Sequence, residues 1–162
     1  MSLLILLLTQ AHGILAQQKN DSLALGPNNS VERLIFLDSV IESKIFLAPK
    51  EAVRYAYEAS TLVQSLPETE LVAKTYRLIG DNYKILGIYD RALTLYSEGL
   101  KLALKNDFNS ITAEIHLSIG ELYLEQNILP LSMENFNRAR DYFRLDNSLD
   151  GESRALQGDL QL

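Results

Sequence analysis

The chain writes one pattern twice, forty residues apart. The segment YRLIGDNYKILGIYDRALTLYSEG fills residues 76–99 and HLSIGELYLEQNILPLSMENFNRA fills residues 116–139, with an apolar residue, Ile-Gly, a Tyr and a later aromatic at matching offsets. A unit of this length cannot bury its apolar face alone, so neighbouring copies must stack. That requirement constrains the fold more than any other feature of the sequence.

In the first segment Tyr76, Ile79, Gly80 and Tyr83 fall at i, i+3, i+4 and i+7, which puts them on one stripe of a helix. Ser65 reads as that helix's N-cap, with Pro67 in the first turn and Glu68 three places on. Gly87 suits the left-handed conformation that ends a helix. A second helix is expected over residues 89–104, with Ala92, Leu93 and Tyr96 facing back. The next copy repeats the design with His116, Ile119, Gly120 and Tyr123, then Ser132, Phe136 and Ala139. Glycine inside a helix costs roughly 1 kcal/mol relative to alanine, so Gly80 and Gly120 are expected where a neighbouring helix comes too close for a side chain.

Forty residues upstream, Ala52, Ala56 and Ala59 stand where Ala92, Tyr96 and Gly99 stand, and Pro49, like Pro130, falls at the second helix's start. There Ser39 and Val40 replace Ile-Gly and Ser43 replaces the Tyr. Downstream, SRALQGDLQL at 153–162 opens a further first helix. The pattern predicts an all-α chain of antiparallel helical hairpins at 31–66, 67–107 and 108–146, then the start of a fourth helix at 147–162. An irregular linker over 17–30 precedes them, its end marked by the turn-forming GPNNS.

These residues resemble the tetratricopeptide repeat (TPR) family. Its signature is an aromatic, Leu-Gly and Tyr on the first helix, then Ala and an aromatic on the second. Tyr76, Ile79, Gly80, Tyr83, Ala92 and Tyr96 match it, as do His116, Ile119, Gly120, Tyr123 and Phe136, with Ser132 in the Ala place. The departures are a forty-residue period where the family has about 34, no Pro at the repeat ends, and the diverged first copy. The resemblance covers residues 31–162. It implies a right-handed α-solenoid of three TPR-like repeats, of the exported bacterial type, whose first helices line a concave groove for a protein partner.

Composition agrees with a soluble globular chain: 47% of the 162 residues are hydrophobic and 22% charged. The net charge of −6 is concentrated late, with nine acidic residues against four basic ones from Ile111 onward. No Lys/Arg cluster is present to hold phosphates, which argues against a nucleic-acid partner. There is no cysteine. Residues 1–16, with LLILLL at 3–8 and the first charged side chain only at Lys19, read as a signal peptide cut after Ala16. Export to the periplasm or medium follows. The apolar run falls short of the roughly 20 residues a membrane span needs.

Catalytic candidates are few. His12 lies in the signal segment, and His116 takes the aromatic slot of its repeat, where a packed core histidine is expected. No metal-ligand spacing and no glycine-rich phosphate loop occurs, so neither cofactor nor metal is called for. The sequons at Asn20 and Asn28 read as chance occurrences. The chain is expected to perform no chemistry of its own.

Binding residues come from a second stripe on each first helix, spaced i, i+3, i+7 and i+10, which the family resemblance places in the groove. It comprises Leu34, Leu37, Ile41 and Lys44, then Lys74, Arg77, Asp81 and Lys84, then Glu114, Leu117, Glu121 and Leu124. Leu34, Leu37 and Ile41 have no repeat-signature role, so a ligand or the 17–30 segment is expected to cover them. The resemblance implies that Lys74 and Arg77 clamp a carboxylate, and an amphipathic helix or extended peptide would lay its acidic side over Lys74, Arg77 and Lys84. Lys74 and Glu114 hold equivalent places in adjacent copies, so the competing expectation is an ion pair between them. Two functions follow: an interaction scaffold, or the sensory front end of a larger bacterial signalling protein with a histidine-kinase or helix-turn-helix output. SRALQGDLQL favours the second, because Leu156 and Leu160 ask for a further neighbour.

Overall fold

In a computed structural model that describes residues 29–161, the chain forms over those residues a succession of helices joined by short links. Its elements are α1 (Ser30–Lys44), α2 (Pro49–Leu62), α3 (Glu70–Ile85), α4 (Tyr89–Lys105), α5 (Asn109–Glu125), α6 (Leu129–Leu145) and α7 (Leu149–Asp159), with a 3-10 turn at Val63–Ser65. No strand occurs among the described residues. The segment expected to be a signal peptide, and all but the end of the expected 17–30 linker, lie outside the described residues. Asn29 is the N-cap of α1, accepting from the Val31 amide at 2.9 Å. For α3 the cap is Thr69 and not Ser65, which closes the 3-10 turn; Pro67 and Glu68 fall in the link between the two.

From α3 onward one turn recurs. Links of three residues join the helices, and the middle residue is left-handed each time: Gly87 (φ 73°), Asp107 (55°), Asn127 (60°) and Asn147 (55°). These positions fall every twenty residues, so the forty-residue period is two equal helix-plus-turn units. The residue after each closes a bond back to the carbonyl five places earlier: Ile88 to Tyr83 (2.9 Å), Phe108 to Ala103 (3.0 Å), Ile128 to Tyr123 (2.8 Å) and Ser148 to Phe143 (2.8 Å). This bond satisfies carbonyls that a helix end would otherwise leave orphaned.

Packing follows chain order. Each helix packs on the next, and α1 touches α3, α3 touches α5 and α5 touches α7. Three buried clusters each tie a hairpin to the helix that follows it; Ala73, Tyr96 and Ile115, for example, bring α3, α4 and α5 together. The helices α3 and α5 each touch four others, and on α5 residues 111–120 are all buried except Glu114.

The repeated glycines lie where an aromatic ring of the hairpin's second helix presses on the backbone of the first. A Cβ on Gly80 would stand 2.5 Å from the Tyr96 ring, and one on Gly120 would stand 2.6 Å from the Phe136 ring. Both rings are fully buried. At the second contact Ser132, in the Ala slot, donates to the Gly120 carbonyl at 2.8 Å. On α7, Gly151 and Gly158 meet Phe143 and Phe136 in the same way.

The first hairpin reverses this arrangement. Its small residues, Ala52, Ala56 and Ala59, are on the second helix, and its large ones, Leu34, Leu37 and Ile41, are on the first. All six are fully buried. Leu34, Leu37 and Ile41 are therefore core residues, contrary to their expected place in a groove. The physical reason is a rotation of α1. Its buried Leu34, Leu37, Asp38 and Ile41 lie forty-one residues, not forty, before buried Thr75, Leu78, Ile79 and Asn82. One residue of slip turns a helical face by about 100°. The α1–α2 link also differs, being four residues long with no left-handed residue, and it leaves Phe46 and Leu47 exposed.

Gly80→Leu should therefore lose stability although leucine is the better helix former. Overpacking against the Tyr96 ring costs about 1–3 kcal/mol or more, against the roughly 1 kcal/mol that helix propensity returns. Thermal unfolding followed by circular dichroism checks this, and an unchanged midpoint would mean that Gly80 does not face α4.

Candidate functional site

The first helices wall a trough. A cavity of about 590 Å³ is lined by α1 (Glu42), the adjoining turn (Ile45, Phe46), α3 (Arg77, Leu78, Asp81, Lys84, Ile85), α5 (Glu114, Leu117, Ser118, Glu121, Glu125) and α7 (Arg154). A smaller one of about 190 Å³ shares Leu117, Glu121 and Arg154 with it and continues under α7 past Leu124. The trough thus runs across all four odd-numbered helices.

Its charges are organised by the core beneath. The Tyr96 ring, seated against Gly80, carries its hydroxyl to Asp81, donating to Oδ1 at 2.6 Å. Burial, with Asp81 alongside, drives this phenol well above its ordinary pKa, so it stays a donor. The other oxygen of Asp81 accepts from Arg77 at 2.7 Å, and Arg77 Nε is buried without an acceptor. Lys84 reaches Glu121 at 2.5 Å, and Arg154 forks onto Glu114 at 2.6 and 3.0 Å, which raises the guanidinium pKa. Lys74 pairs with Glu42 at 3.0 Å. Adjacent first helices are thus joined by ion pairs, α1 to α3, α3 to α5 and α5 to α7.

Of the twelve stripe residues expected to bind a partner, Arg77, Asp81, Lys84, Glu114, Leu117 and Glu121 line the larger cavity and Leu124 the smaller. Leu34, Leu37 and Ile41 do not, for the reason given above, and Lys74 lies beside it. The expected Lys74–Glu114 pair is not formed, because each has another partner. Nor does the basic stripe offer free cations: Lys74, Arg77 and Lys84 are each engaged by a carboxylate. Lys44, from the same stripe, pairs with Glu51. Sequence reasoning missed Phe46, Ile85, Glu125 and Arg154. Arg154 was within reach, since it stands forty residues after Glu114. Phe46 carries no repeat signal.

His116 is buried between α5 and α6, where its Nδ1 meets Asn135 Oδ1 at 3.0 Å and its ring stacks on Tyr142. Desolvation lowers its pKa and keeps the imidazole neutral. Among the described residues no group of His, Asp and Glu is placed to hold a metal ion, and no helix is long and apolar enough to cross a membrane. The sequence matches no protein-family model and no curated protein.

One buried carboxyl sits at the α1–α3 contact. Asp38 is 3% exposed; its Oδ2 accepts from Thr75 at 2.8 Å and its Oδ1 has no partner. Burial pushes its pKa up to about 6, opposed by the Thr75 bond and by Lys74 and Arg77 on α3, and assisted by Glu42 on α1. The folded chain holds this proton more tightly than the unfolded one, whose carboxyl titrates near 3.8. Stability from this group is therefore gained as pH falls through 6 and lost as pH rises through it, by at most about 3 kcal/mol. Asp38→Asn should unfold at a higher temperature than the parent at pH 7.5, and the gap should shrink to roughly half by pH 5, because the full recovery needs a pH below 3.8. Melting curves at the two pH values check this, and an equal gap at both would contradict it.

Proposed function

We propose that the chain is a non-catalytic interaction scaffold, a right-handed TPR-like solenoid that holds a peptide or protein segment in the trough along its first helices. The observation that carries this reading is the continuity of the trough, with a wall residue from each of α1, α3, α5 and α7 and an uncovered aromatic, Phe46, at its edge. Aromatic side chains supply much of the binding energy at protein interfaces. The repeat resemblance supports the same reading, and the apolar N-terminal run supports export to the periplasm or medium as the place where it acts.

A second reading has an observation of its own. On α7, the small residues Gly151, Ala155 and Gly158 face α6, while Leu149, Leu156 and Leu160 are 79, 45 and 86% exposed. That apolar face is where the next helix of an array would pack, as in the sensory N-terminal region of a larger bacterial signalling protein. The reading frame beyond Leu162 discriminates: a downstream spanning segment and output domain support the sensor, and a stop codon removes it.

Site-specific photocrosslinking in the source cells tests the scaffold. A photoreactive residue at Phe46, on the trough edge, should give a discrete protein adduct, and one at Tyr57, exposed on α2, should not. Adducts from Tyr57 alone, or none from either position, would contradict the proposal.

A further inference from the structure

At its centre the trough sorts its charges by depth, whereas under α7 the order is reversed, with Arg154 44% and Glu114 21% exposed. In the central Lys84–Glu121 pair the lysine side chain is sunk at 9% exposure while the glutamate side chain is 48% exposed. Arg77 and Asp81 are both nearly closed off, and Lys74 is less exposed than its partner Glu42. Glu125 is exposed and takes part in no ion pair among the described residues. A segment entering over Glu121 and Glu125 of α5 therefore meets carboxylate oxygens, with Lys84 beneath Glu121. At the α1 end it meets Phe46, 81% exposed, beside Ile45 and Ile85. The trough is apolar at one end and acidic in the middle. Under α7 the Arg154 fork on Glu114 shows one of its carboxylates already holding a guanidinium.

Resting on the docking reading above, we infer that the occupant is a cationic segment, with an aromatic or aliphatic side chain against Phe46 and a Lys or Arg over Glu121 and Glu125. An anionic segment would have to pull Glu121 off the sunken Lys84 and leave that carboxylate without its partner. An anionic lipid surface would be repelled by the same carboxylates. Geometry sets the spacing. Phe46 follows α1 and Glu121 is on α5, with α3 between them; packed helices lie about 8–10 Å apart and an extended chain advances roughly 3.3 Å per residue, so the apolar and basic side chains should stand about five or six residues apart.

The test is a selection of random phage-displayed peptides on the full chain, repeated on Glu125→Lys and on Phe46→Ser, with circular dichroism to show that both variants fold. The expected result is enrichment of Lys or Arg about five or six residues from an aromatic or aliphatic residue. The selected peptides should bind Glu125→Lys several-fold more weakly, with the difference shrinking at high salt, and should also lose affinity for Phe46→Ser. Enrichment of acidic peptides that still depend on Phe46 would overturn the cationic occupant and leave the docking reading standing. Peptides insensitive to both substitutions, or no enrichment, would overturn both.

Discussion

A glycine that lets an aromatic ring lie against bare helix backbone is the contact on which the rest of this structure depends. At Gly80 and Gly120 even a methyl group would collide with Tyr96 or Phe136, so the ring of one helix of a hairpin lies directly on the backbone of the other. Other contacts build on that seating. The Tyr96 hydroxyl reaches across to Asp81, and Ser132 reaches the Gly120 carbonyl. Asp81 then fixes Arg77, and the charged wall of the trough takes its form from the core beneath it. The glycines of α7 extend the rule to the helix that closes the described chain.

The pattern along the sequence was readable where a residue type has one physical use. Gly80 and Gly120 inside strongly periodic helices had few explanations other than close packing, and Gly87 marked a helix end. Asp107, Asn127 and Asn147 make the same turn as Gly87, but they carried less signal because Asn and Asp also serve elsewhere. The first hairpin was misread because subtracting forty assumes an unrotated helix. Its offset is forty-one residues, so Leu34, Leu37 and Ile41 stand where Thr75, Leu78 and Asn82 are buried in the next hairpin. The ion pairs were hidden for a different reason. Whether Lys74 reaches Glu42 or Glu114 depends on the stagger of adjacent helices, which the sequence pattern does not encode.

Pairing along the trough also changes what its charges mean. Exposed ion pairs contribute about 0–1 kcal/mol each, so the contacts joining α1, α3, α5 and α7 do little to hold the helices together beside the buried clusters. Their larger effect is to fix which charge faces outward. With Lys84 sunk and Glu121 at the surface, a stripe that reads as basic in the sequence presents carboxylate to solvent. The trough's character therefore comes from burial depth as much as from composition.

A double-mutant cycle on Gly120 and Phe136 tests the central contact most directly. Gly120→Ala, Phe136→Leu and the double variant are compared with the parent by urea denaturation. If the glycine exists to seat the ring, alanine at 120 destabilises the parent but is tolerated once the ring is cut back, giving a coupling of about 0.5–3 kcal/mol. Additive effects, with alanine at 120 equally costly whether or not the ring is present, would contradict the account.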